Sequence, residues 1–116
     1  MRGVIDIQQI KRKEHIDQLC LKHKSIDNRK KIYVIKEYES NYYKIGVSYN
    51  PEIRLHSIQT GNIRKLDIIM ESDFLDNAHK IEKAIHSFFE DKHVKGEWFI
   101  LDTDDLISIY RFFTNL

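Results

Sequence analysis

Residues 31-KIYVIKEYESNYYKIGVSYNPEIRLHSIQTGN-62 decide the fold. Lys31 to Tyr38 is β-branched and aromatic, the composition of a strand. Glu39-Ser40-Asn41 reads as a turn and Asn41 to Val47 as a second strand, so the two make a hairpin. Strand alternation puts Tyr42, Lys44 and Gly46 on one face and Tyr43, Ile45 and Val47 on the other. Asn50-Pro51-Glu52 then starts a helix: Asn50 caps, Pro51 suits the first helical position, and Glu52 meets the positive end of the dipole. Gly61-Asn62 stops it.

Outward from this stretch, Leu66 to Glu71 reads as a third strand. Residues 74–91 give the clearest helical pattern, with Phe74, Ala78, Ile81, Ile85, Phe88 and Phe89 on one stripe. Gly96 punctuates, and Glu97 to Leu101 is a short closing strand. Asp102-Thr103-Asp104-Asp105 opens a last helix through Leu106, Ile109, Tyr110 and Phe113. Upstream, Ile7, Ile10, Ile16, Leu19 and Cys20 recur at helical spacing within residues 3–24, before a break at Ser25-Ile26-Asp27-Asn28. The expected order is α-ββ-α-β-α-β-α. The expected class is α/β, of the α+β kind: a small, three-stranded, mainly antiparallel sheet flanked by helices. Residues 1–30 form an added N-terminal helical extension (an arm, a packing helix or a homodimer contact), and 31–116 form the domain proper.

The bulk numbers bound the class. At 116 residues, 41% hydrophobic and 11% aromatic, the chain suits one domain with a real core. No apolar run approaches the roughly 18 residues of a membrane span. The opening Met-Arg-Gly-Val-Ile-Asp lacks a signal peptide's apolar stretch. Cys20 is the only cysteine, which excludes an internal disulfide and a thiolate metal cluster. A cytoplasmic, intracellular protein is expected. Charge is split: residues 1–66 hold 14 Lys/Arg against 7 Asp/Glu, and residues 67–116 hold 5 against 11. A basic first half suits contact with phosphates. The wealth of Ile, Lys and Asn suits an AT-rich genome of the viral or phage kind.

Several residues invite chemistry on their own account. Glu82 lies at the edge of the apolar stripe of the 74–91 helix, where a half-buried carboxylate needs a positive partner. From the helix alone that partner is either a lysine or arginine, or a metal. Arg54 falls in the first turn after Pro51, where a cation opposes the helix dipole, so a functional reason is expected. The same helix end attracts anions. His56 and His86 could each shuttle protons near neutral pH.

The spaced set Lys31-Ile32-Tyr33, Lys44-Ile45-Gly46, Arg54, Glu82 and Gly96-Glu97-Trp98-Phe99 resembles the GIY-YIG nuclease superfamily. KIY stands in the first motif and KIG in the second. The likeness is greatest to the branch typified by a phage T5 DNA-binding domain and the meiotically upregulated gene type, where KIG-like forms and a GEWF ending recur. It covers residues 31 to about 101, and the Tyr33–Lys44 and Gly46–Arg54 spacings match those of the family.

The resemblance implies a metal-dependent endonuclease that hydrolyses DNA phosphodiesters, with RNA open as a substrate. It implies that Tyr33, Lys44, Arg54 and Glu82 are catalytic and that Glu82 binds one Mg²⁺ (or Mn²⁺) ion. Tyr33 would help deprotonate the attacking water. With an ordinary pKa of about 10 it would need positive charge beside it, from Lys44, Arg54 or the metal. Lys44 replaces the second motif tyrosine and would act as a point charge on phosphate or water. Arg54 would stabilise transition-state charge. Tyr42, one pleat from Lys44, and His56, His86 and Glu97 are accessory candidates. Lys31, Lys44, Arg54 and Arg64 are the expected nucleic-acid contacts. Two rivals remain open at the level of sequence: a nucleic-acid-binding module with weak or lost chemistry, which the missing tyrosine favours, and a phage-type protein-interaction adaptor.

Overall fold

The computed structural model describes residues 28–116. Its elements are β1 (Lys31–Glu37), β2 (Tyr42–Ser48), α1 (Pro51–Gln59), β3 (Leu66–Glu71), α2 (Ala78–Phe88), a 3₁₀ turn (Glu90–Lys92), β4 (His93–Lys95), β5 (Trp98–Ile100) and α3 (Thr103–Thr114). The strands form one sheet in the order β3-β1-β2-β5-β4, with every pairing antiparallel. The architecture is therefore α+β, but the sheet has five strands, not the three expected. The N-terminal helix expected over 3–24, and with it the extension 1–30 and its dimer contact, lies outside the described residues except for 28–30.

β1 is buried on both faces, which explains its unbroken apolar run. Ile32 and Val34 face the larger core with Tyr43, Ile45, Ile81, Ile85, Phe99, Ile109 and Phe112, under α2 and α3. Tyr33 and Ile35 face a smaller cluster with Leu66, Leu55, Ile58 and Trp98, under α1. The sheet thus lies between α1 on one side and α2 and α3 on the other. The β1–β2 register sets Tyr33 opposite Gly46 and Ile35 opposite Lys44, so Tyr33, Lys44 and Gly46 share the α1 face.

Two expectations need correction. The 74–91 helix starts only at Ala78. Leu75 exchanges two backbone hydrogen bonds with Lys30 (3.1 and 2.8 Å), which holds this stretch extended and leaves Phe74 exposed, beside Lys31. The helix ends at Phe88, and Phe89 is buried from its C-cap position. The single closing strand is in fact a hairpin, β4–β5, turned at Gly96 with φ of +56°, a conformation that glycine adopts without strain.

The helix starts follow the sequence. The Asn50 side chain accepts from the Ile53 N–H at 3.2 Å, with Pro51 next in the chain. At α3, Asp102 and Asp105 form a capping box, each accepting the other's backbone N–H, and Lys92 pairs with both carboxylates. Asp105 is buried, so its removal breaks the capping box and leaves Lys92 with Asp102 alone. Asp105→Ala should lower stability by about 2 kcal/mol in urea unfolding. An unchanged midpoint would show that the box contributes nothing.

Candidate functional site

The site is built around a missing side chain. A Cβ added to Gly46 would land on the Tyr33 hydroxyl and within 3.1 Å of Glu97 Oε1. Glycine at 46 therefore lets the phenol of β1 lie across β2. It also lets the β4–β5 turn bring Glu97 in from the other side. That turn is held in place by the Ile45 N–H, which donates to the Glu97 carbonyl at 3.0 Å, and by His93 Nε2, 2.7 Å from the Gly96 carbonyl.

Lys44, two residues before Gly46, is buried, and its Nζ lies 2.9 Å from Glu97 Oε1 and 5.8 Å from the centre of the Trp98 ring. Its side chain is therefore withdrawn from solvent. Arg54, exposed in the first turn of α1, is near enough to the Tyr33 phenol to oppose the rise in its pKa. Glu82 enters from α2 and is buried. Its carboxylate feels Glu97, Lys44 and Lys83, but it makes no ion pair within 4.0 Å among the described residues.

The electrostatics follow from this crowding. Burial, reinforced by the charge of Glu97, pushes Glu82 up to about 7, with Lys44 and Lys83 opposing. Burial also raises Tyr33 above the usual phenol value. Arg54 acts against this, and Glu97 and Glu82 add to it. The expectation that positive charge would favour the phenolate fails for the metal-free site: two carboxylates and burial outweigh one arginine. Tyr33 is a neutral hydrogen-bonding phenol there.

The accessory residues divide. Glu97 sits at the centre, touching Lys44 and facing Tyr33 across Gly46. His86 is a fastener: its Nε2–H donates to the Ile45 carbonyl at 2.9 Å and its ring meets Phe99 edge-on. His56 is exposed on α1. Tyr42 is two-fifths exposed at the start of β2, opposite Ile100. Lys31 pairs with Glu71 at 3.4 Å, and Arg64 with Glu37 at 3.6 Å, both outside the central cluster. The pairing of Lys44 with Glu97 went unread in the sequence, because it depends on the long-range pairing that sets Trp98 of β5 opposite Lys44.

Five elements thus converge on one glycine with a phenol, two cations and two carboxylates. Among the described residues no group of three or more His, Cys, Asp or Glu is placed to hold a metal, and no helix is long and apolar enough to cross a membrane. This is a GIY-YIG-like domain, as the KIY and KIG motifs led one to expect. The T5orf172 domain model matches residues 30–114, and the chain belongs to that family. Comparison with curated proteins and with solved structures gave no match.

Gly46→Ala must move the Tyr33 ring, the Glu97 carboxylate or both. It should cost about 1–3 kcal/mol in chemical unfolding, and a neutral effect would mean that the phenol has room to retreat. Glu82 gives a pH prediction for metal-free protein. Folded Glu82 keeps its proton up to about pH 7, whereas the unfolded side chain releases it near 4.5. Between these values the native state binds the extra proton, so the contribution of Glu82 to stability falls as pH rises. Glu82→Gln in EDTA should therefore melt above wild type at about pH 8, with the margin shrinking toward about pH 4. A margin that is constant, or that grows on acidification, would contradict the burial argument.

Proposed function

We propose that this domain is a metal-dependent endonuclease that hydrolyses DNA phosphodiester bonds. Glu82 carries the reading. A buried carboxylate raised to about 7, with no ion-pair partner within 4.0 Å among the described residues, is a group in need of a cation. The site fits one Mg²⁺ or Mn²⁺ ion that Glu82 would hold, with the charge of Glu97 in electrostatic reach. So few protein carboxylates suit an ion that keeps most of its waters and takes phosphate oxygens. When bound, the ion supplies charge stabilisation at the phosphate and the departing oxygen.

The remaining steps belong to side chains. Arg54, exposed at the first turn of α1, offers its planar fork to the phosphate and stabilises charge in the transition state. The Tyr33 phenol orients the attacking water, whose proton passes to solvent as its oxygen bonds to phosphorus and the bond to the departing oxygen breaks, with Arg54 beside the phenol. Lys44 acts as a point charge. Its Nζ is held on Glu97 in the free domain and is available to phosphate when that carboxylate is engaged elsewhere. DNA is the proposed partner, in keeping with the basic first half of the chain.

One observation favours a second reading, a nucleic-acid-binding module with little chemistry. The position of the second phenol is filled by a lysine already satisfied by Glu97 at 2.9 Å. Incubation of supercoiled plasmid with Mg²⁺ or Mn²⁺ separates the two. The nuclease reading expects nicking by wild type, reduced about 10²-fold or more by Glu82→Ala and by Tyr33→Phe, with DNA binding retained. A folded wild type that binds DNA in a salt-dependent way but never nicks it would establish the binding module instead.

A further inference from the structure

The α1–β3 loop carries a feature that the catalytic cluster does not use. Ile63 is wholly exposed, and yet the loop that presents it is tied down. The Gln59 side chain clamps it from three sides: Nε2 donates to the carbonyls of Asn62 (3.2 Å) and Arg64 (2.9 Å), and Oε1 accepts from the Leu66 N–H (2.7 Å). Asn62 adds a fourth tie, its Nδ2 donating to the Ile58 carbonyl at 2.9 Å. The base of the loop is anchored in turn, because Leu55 and Ile58 of α1 pack on the smaller core and β3 is part of the sheet. A rigid loop that holds an isoleucine in water gains nothing for folding from that side chain.

Charge says what the isoleucine faces. From Ile53 to Leu66 the chain has no acidic residue, although it contains 18 in all, and the same stretch holds Arg54, His56, Arg64 and Lys65. Arg64 and Lys65 directly follow the tip and are well exposed, with only loose pairs to Glu37 (3.6 Å) and Asp67 (3.8 Å). Exposed pairs of this kind are worth little and exchange readily for phosphates. Ile53, beside Arg54 in the first turn of α1, is also two-thirds exposed. An apolar tip on a clamped loop, followed by cations, has the form of a side-chain wedge that enters the minor groove or a base step while neighbouring cations hold the backbone. Preorganisation by Gln59 lowers the ordering cost of such a contact.

We propose that the Gln59-clamped loop is a duplex-DNA contact in which Ile63 inserts as an apolar wedge while the cations that follow it, Arg64 and Lys65, hold the backbone. The proposal rests on the nucleic-acid reading above but not on catalysis. It is tested with the full chain in EDTA, so that no cleavage is needed, on a duplex of about 20 base pairs labelled at both ends for anisotropy and energy transfer. Ile63→Ser should melt like wild type. It should bind the duplex at least about tenfold more weakly, the worth of burying an isoleucine side chain. It should lose the end-to-end distance change while keeping the wild-type salt slope. The double variant Arg64→Ala/Lys65→Ala should instead reduce the slope by about 2. An Ile63→Ser protein that binds and bends the duplex like wild type overturns the wedge and leaves the nuclease reading intact. A wild type that binds no duplex also overturns it, and the plasmid assay with Glu82→Ala then judges the catalytic site separately.

Discussion

A tyrosine laid over a glycine on the next strand sets the geometry of the site. Tyr33 and Gly46 face each other in the β1–β2 register, and the hydroxyl occupies the space a Cβ would need. Because β1 is buried on both faces, the ring has little freedom to move. Arg54 can then meet the phenol from α1, and Glu97 can approach Gly46 from the β4–β5 turn. Each other side chain in the cluster is placed relative to this crossing, and the hairpin that creates it is the most local structure in the domain.

The second constraint is electrostatic. Two carboxylates and one buried lysine share a small space, and the lysine is committed to Glu97. Glu82 is left with burial and like charge, and its proton affinity rises accordingly. A structural carboxylate would ordinarily be neutralised by its own partner. Here the shortage of positive charge is a property of the arrangement, and a divalent ion would remove it. The same shortage, with burial, keeps Tyr33 protonated.

Much of this was legible in the sequence because the signals are local. The β-branched run of β1, the Asn50-Pro51 start of α1 and the acidic start of α3 each act within a few residues. The errors came where distant partners decide. Phe74 fits a helical stripe, but the Lys30–Leu75 bridge holds its neighbourhood extended. β4 is three exposed residues with no apolar pattern to announce it, so the hairpin it makes with β5 went unread and the expected sheet was too small. The partner of Lys44, Glu97, lies far along the chain, and nothing local announces the pair. The motif positions Tyr33, Arg54 and Glu82 could be named from spacing. The sense of the Tyr33 shift could not, since it depends on how deeply the ring is buried.

The central claim is that Glu82 is held ready for a cation, and Mn²⁺ titrated into isotope-labelled protein tests it most directly. Paramagnetic broadening in two-dimensional NMR spectra should centre on Glu82, Tyr33, Lys44 and Glu97, and should disappear in Glu82→Gln. Broadening centred elsewhere, or unchanged in Glu82→Gln, would contradict the account.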